Sequence, residues 1–178
     1  MFTKFNLKDY NFKLLALVII AVVTGIIVIN SANDSFTSRQ IIGAVLGLIA
    51  MLFISVINYD FVCKFYGILY IINLVLLTLV LLVGVNVNNA TRWINIGGDG
   101  GIQFQPSEFS KQFMIIFAAT LLAKFKDSDK INTFKCLATF AVFSGLCLLL
   151  IVSEPDLSTT ICLTLVLVTM LYVSGLSY

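Results

Sequence analysis

The chain has 178 residues, of which 60% are hydrophobic and 11% charged, with a formal net charge of +2 and no histidine. Such a balance excludes a disordered chain and fits poorly with an ordinary soluble domain. It also withholds the commonest general base and metal ligand, and no cysteine pair has zinc spacing.

A membrane-spanning helix needs about 20 residues, and apolar segments at about 14–30, 40–58, 66–85, 106–123, 136–152 and 158–174 approach that length. They predict an all-α integral membrane protein, a polytopic bundle of six transmembrane helices in a single membrane domain spanning 1–178. Residues 1–13 form a short lead with Lys4, Lys8 and Lys13, and no small-residue cleavage site closes the first span, which therefore reads as an anchor. With the amino terminus inside, Lys64, Lys124, Lys126, Lys130 and Lys135 join those three on the inner side, against Arg39, Arg92 and Lys111 outside. Both ends are thus predicted cytoplasmic. Because the lysines follow this topology and form no groove-binding patch, the composition points to a membrane and not to nucleic acid.

In chain order, Asn33, Asp34 and Ser35 are turn residues in a small outer loop. Gly43 and Gly47 in the second span form a small-residue face for close approach of another helix, from this chain or from a partner. Residues 58–64 read as a tight inner loop. The outer loop 86–105 is long for a connection and, with Trp93, Ile94, Ile96, Ile102 and Phe104, too apolar for a disordered linker. It reads as a structured segment at the membrane surface. Gly97, Gly98, Gly100 and Gly101 around Asp99 read as turns, since no P-loop lysine and hydroxyl pair follows them.

Arg92 suits a lipid headgroup or another phosphate-bearing group, and Trp93 suits an interfacial belt. Counting back from Ala123 by a span's length places Glu108 and Lys111 inside the fourth span, three apart on one face. Intramembrane charges usually face a protein interior or a wet cavity. The pair is therefore expected in a polar cavity open to the outer leaflet, with a dipole-capping Glu108 and a snorkelling Lys111 as the alternative. Pro106 fits the first turn of that helix. Cys63 and Cys136 fall at the inner edge and Cys147 and Cys162 within spans, so no disulfide framework is expected. Lys124 to Lys135 reads as a solvated loop, and Asp156, after Glu154 and Pro155, suits the cap of the last span.

Two stretches carry a resemblance: Ala90-x-Arg92-Trp93-Ile94, and Gln105-Pro106-Ser107-Glu108-Phe109-x-Lys111. With Ser31-Ala32, Tyr59-Asp60, Glu154-Pro155-Asp156-Leu157 and Ser174-Gly175-Leu176-Ser177, the chain resembles the shape, elongation, division and sporulation (SEDS) family of membrane glycosyltransferases, which includes RodA and FtsW. The short lead favours the RodA side. One departure stands out: the family pattern Gln-Pro-Asp-x-Gly-Thr or Ser has Glu154 in place of Gln and Ser158 in place of Gly.

The resemblance implies a fold of roughly ten spanning helices, of which this chain would be the amino-terminal portion, as a fragment or a shortened reading frame. It implies peptidoglycan polymerisation in cell-wall elongation and shape maintenance at the bacterial plasma membrane. There a sugar hydroxyl attacks the anomeric carbon of lipid II and the polyprenyl diphosphate leaves, which needs a base at the acceptor and positive charge at the diphosphate. The aspartate regarded as essential lies in a later loop, so no catalytic residue is expected within this chain. Arg92, Glu108, Lys111 and Asp156 are the expected substrate-binding or cavity residues, with Trp93, Gln105, Pro106, Ser107 and Pro155 structural. A class B penicillin-binding protein is the implied partner. No cofactor is evident, although the resemblance allows a divalent cation. A lipid II flippase, or a non-catalytic scaffold binding a penicillin-binding protein, stays open beside the polymerase.

Overall fold

The computed structural model describes residues 10–87, 90–96 and 102–175. The glycine-rich stretch 97–101, with its expected turns, and the lysines of the first nine residues lie outside them. The chain divides into two compact units, residues 1–62 and 63–178.

The first unit holds α1 (Phe12–Ala32) and α2 (Thr37–Ser55). The Asn11 side chain caps α1 by accepting from the Leu14 amide at 3.1 Å, and the 21 mostly apolar residues of the helix then run about 31 Å, enough to cross a bilayer. Asn33 ends α1 in extended backbone, and its side chain starts the single 3-10 turn Asp34–Phe36 by accepting from Ser35 N at 3.0 Å. Thr37 donates to Asn30 at 3.1 Å and ties the two helix ends together. Neither helix buries a residue, the pattern of apolar helices whose sides face lipid or a neighbour. A Cβ on Gly43 or Gly47 would meet nothing within 4 Å, so α1 does not press on that small-residue face.

Where a tight loop was expected at 58–64, Asn58 accepts from the Asp60 amide at 2.9 Å and opens a short helix, α3 (Tyr59–Lys64). An asparagine followed by an acidic residue is an N-terminal helix signal. The second unit continues with α4 (Tyr66–Val83), α5 (Pro106–Asp127), α6 (Phe134–Ser153) and α7 (Leu157–Val173). α5 is the central element and packs against α4, α6 and α7. Its buried stripe, Ser107, Ser110, Met114, Phe117, Ala118 and Leu122, follows the helical repeat. Tyr70 of α4 stacks on Phe117 with ring centroids 4.4 Å apart and donates to the Phe143 carbonyl of α6 at 2.9 Å. Lys124 and Lys126 complement the carboxyl end of α5, where Lys124 lies 4.1 Å above the Tyr66 ring.

Among the described residues, four helices are long and apolar enough to cross a membrane: α1, α2 with its preceding turn, α4 and α6. α5 carries Glu108, Lys111, Lys124, Lys126 and Asp127, and α7 has 17 residues, which is why these two differ from the uniform spans expected. α5 also runs four residues past Ala123, into the segment read as solvated loop.

Between α4 and α5 the described residues form a three-stranded antiparallel sheet: β1 (Val85–Val87), β2 (Ala90–Ile96) and β3 (Ile102–Phe104), in the order β1-β2-β3. Val85 pairs with Trp93, and Ile94 with Phe104. Gly84 makes the corner from α4 into β1. A Cβ there would lie 2.3 Å from the Val80 carbonyl oxygen and 2.9 Å from Thr91 Cγ2, so the close approach needs glycine.

Candidate functional site

At the sheet end of the second unit, three stretches remote in sequence converge on Asp156. It is 1% exposed, in the link between α6 and α7. Arg92 Nη1 of β2 donates to its Oδ1 at 3.3 Å. Gln105 Nε2 and Ser107 Oγ, from the start of α5, donate to its Oδ2 at 2.9 and 3.0 Å. Ser158 Oγ and the Thr159 amide complete the set on Oδ1 at 3.1 and 3.3 Å, the latter as a helix N-cap. Gln105 also donates to Ser107 at 3.0 Å. Burial alone would raise the Asp156 carboxyl, but the hydrogen bonds from Thr159, Ser107 and Ser158 outweigh it and hold the group below its ordinary range. Asp156 is thus an ionised clamp that fixes β2, the start of α5 and the start of α7 to one another.

Pro106 explains why Gln105 is free for this contact. The ring occupies the first helical position, where no amide donor is needed. Gln105, in extended backbone, makes no cap of its own helix and reaches across to Asp156.

Glu154 sits two residues before Asp156 and is 0% exposed. Neither of its carboxyl oxygens meets a hydrogen-bond partner among the described residues. Burial, and secondarily the Asp156 charge, pushes its carboxyl up to about 8. Deeper in the core, Asn73 Nδ2 of α4 donates to Cys147 Sγ of α6 at 3.2 Å, and Ser110 Oγ of α5 lies 3.3 Å from the same sulfur. Asn73 Oδ1 is buried without a partner among the described residues.

Lys111 Nζ lies 2.8 Å from Glu108 Oε1, an ion pair one helical turn apart. The pair does not join the Asp156 clamp. Its side chains are 25% and 53% exposed, because the inward stripe of this turn belongs to Ser107 and Ser110. Within the second unit the pair is therefore half-open and not enclosed by α4, α6 or α7. Trp93 is half-buried on β2 opposite Val85, Pro106 is buried, and Pro155 is exposed between the two acidic residues. Sequence reasoning gave Glu154, Ser158 and Thr159 no site role. The signal for the last two was the hydroxyl run following a capping aspartate.

The described residues do not suit the divalent cation that the resemblance allows. No group of three or more His, Cys, Asp or Glu side chains gathers among them. Both Asp156 oxygens are already taken by donors from Arg92, Gln105, Ser107, Ser158 and Thr159.

Long apolar helices and a buried carboxylate clamp beneath a small sheet define a polytopic α-helical membrane protein. The family described as "Cell cycle protein", of the FtsW, RodA and SpoVE type, matches residues 6–178, and the chain belongs to it. A relative from Taylorella equigenitalis, named "Probable peptidoglycan glycosyltransferase FtsW", is 34% identical over 154 residues, covering 84% of this chain and 40% of its own length. The crystal structure of Thermus thermophilus rod shape determining protein RodA matches with a TM-score of 0.84 and 26% identity, over 96% of this chain and 55% of that one. A third match, with a TM-score of 0.82 and 25% identity over 94% of this chain and 48% of the other, is a structure described as "Structural coordination of polymerization and crosslinking by a peptidoglycan synthase complex". The chain spans about half the length of the proteins it matches.

Proposed function

We propose that this chain is the substrate-receiving part of a peptidoglycan glycosyltransferase, acting on lipid II in cell-wall elongation at the bacterial plasma membrane. The observation that carries the reading is the meeting of Gln105 and Ser107 with Asp156, beside Arg92, in a chain of this family. The sheet end then faces the outer leaflet and both chain ends are cytoplasmic. In support, Lys124 and Lys126 sit at the opposite end of α5, as the positive-inside rule expects.

In this reading Arg92 is held in place by one Nη on Asp156, and its side chain, 30% exposed, offers its remaining donors to the diphosphate of the lipid. Positive charge there stabilises the leaving group as the glycosidic bond breaks. Glu108 orients Lys111 for a second contact to substrate. Catalysis itself is assigned to groups beyond those described. The matched synthase complex supports a membrane-embedded partner, and a class B penicillin-binding protein is the partner proposed. The test is photocrosslinking of a lipid II analogue to the full-length gene product. The analogue is expected to label Trp93 or its strand and to lose that labelling in Arg92→Ala. Labelling confined to the lysine end would contradict the reading.

A further inference from the structure

Glu154 is a carboxyl group in the wrong place for an ordinary carboxylate. It is 0% exposed, and neither oxygen has an acceptor's usual company among the described residues. An ionised carboxylate buried without a partner costs far more than a neutral one. Two carboxyls, Glu154 and Asp156, share this link, and the guanidinium at hand, Arg92, is already committed to Asp156 through Nη1. Arg92 Nη1, Gln105, Ser107, Ser158 and the Thr159 amide all donate to Asp156, and none of them to Glu154. The clamp is therefore satisfied with one charge and overloaded with two.

We propose that Glu154 is a proton-binding site, holding one proton beneath the Asp156 clamp and tying the protonation of the link to the position of Arg92. The titratable groups that interact electrostatically with it are Asp156 on the same link and Cys147 on α6, and the nearest cation of the clamp is Arg92 on β2, held on Asp156. Of these, Asp156 opposes ionisation by its charge. Arg92 Nε is buried without an acceptor among the described residues, so the guanidinium meets Asp156 through Nη1 alone. Loss of the proton sets a second negative charge beside Asp156, and the clamp with its Arg92 contact is what that charge disturbs.

The test needs no substrate, so its failure is separate from failure of the glycosyltransferase reading. Glu108 and Glu154 are the two glutamates of the sequence, which makes glutamate-selective carbon-13 labelling with infrared detection nearly site-specific. With the 178-residue chain in lipid nanodiscs, one labelled carboxyl is expected to show the protonated carbonyl stretch at neutral pH. That band should fade as pH is raised through about 8 and be absent in Glu154→Gln, an isostere of the protonated acid. If Glu154→Gln fails to fold, the labelled wild-type chain decides alone, because Glu108 is ion-paired and half-open. Two ionised glutamates at neutral pH would overturn the proposal, as would a protonated band that survives Glu154→Gln. A band removed by added sodium at constant pH would also overturn it, by marking a metal-cation site.

Discussion

Ser107 Oγ donates to Asp156 Oδ2 at 3.0 Å across 49 positions of sequence, with both residues buried. This bond joins the start of α5 to the start of α7, and Gln105 and Arg92 close around the same carboxylate. Ser107→Ala removes one donor from a buried charge, a loss of about 1.5–3 kcal/mol for a bond to an ionised group. Thermal unfolding in nanodiscs should show a clear drop in Tm, and an unchanged Tm would mean that the carboxylate is satisfied without α5.

Glu108 and Lys111 call for a smaller effect. Full burial of the pair in a cavity would make loss of either partner costly, about 3–5 kcal/mol. With Glu108 53% exposed, screening reduces the pair to about 0.2–1 kcal/mol. A double-mutant cycle of Glu108→Ala and Lys111→Ala on stability should therefore return a coupling below about 1 kcal/mol. A coupling several times larger would place the pair in a dry enclosure.

Much of this was legible in the sequence because its strongest signals are local. Long apolar runs set α1, α2, α4 and α6, and Pro106 fixed the start of α5 to the residue. The sheet was also written locally, in Val85-Asn86-Val87, Ile94-Asn95-Ile96 and Ile102-Gln103-Phe104, whose alternation has the period of two of a strand. With β1 and β3 three residues long and β2 seven, the strands are too short to stand out beside spans of about twenty residues. Glu154 was hidden for another reason. Its burial comes from how α6, α7 and the sheet end pack, and a Glu-Pro-Asp string reads equally well as an exposed loop.

Glu154 gives a pH dependence whose sign is fixed by its raised carboxyl. The folded state holds the proton up to about 8, whereas an ordinary glutamate releases it near 4.5. Between those values the folded state binds more protons than the unfolded one, so the Glu154 contribution falls as pH rises, by up to about 1.4 kcal/mol per pH unit, and is flat above the upper value. Asp156, held below its ordinary range, contributes the opposite slope, but only in acid. Wild-type Tm should thus decline from mildly acidic to mildly alkaline pH, and Glu154→Gln should remove that decline. Parallel profiles for the two proteins would contradict the assignment.

Gly84→Ala tests the corner between α4 and β1. The added Cβ would sit 2.3 Å from the Val80 carbonyl oxygen, so the backbone must shift, at about 1–3 kcal/mol by comparison with other overpacked sites. Gly43→Ala, with nothing within 4 Å, is the control and should leave the Tm of the isolated chain unchanged. Equal effects at the two positions would show that α4 and β1 do not meet this closely.

The most direct measurement is glycan-strand synthesis from lipid II by the full-length gene product in proteoliposomes, comparing wild type with Asp156→Asn at matched protein level and matched Tm. Weakening the charged clamp that holds Arg92 should raise the barrier by at least about 1.4 kcal/mol, a tenfold or greater fall in rate. The account predicts strands from the wild type and at most about a tenth of that rate from Asp156→Asn. Equal rates, or lipid II moved between leaflets with no strand formed by the wild type, would contradict it.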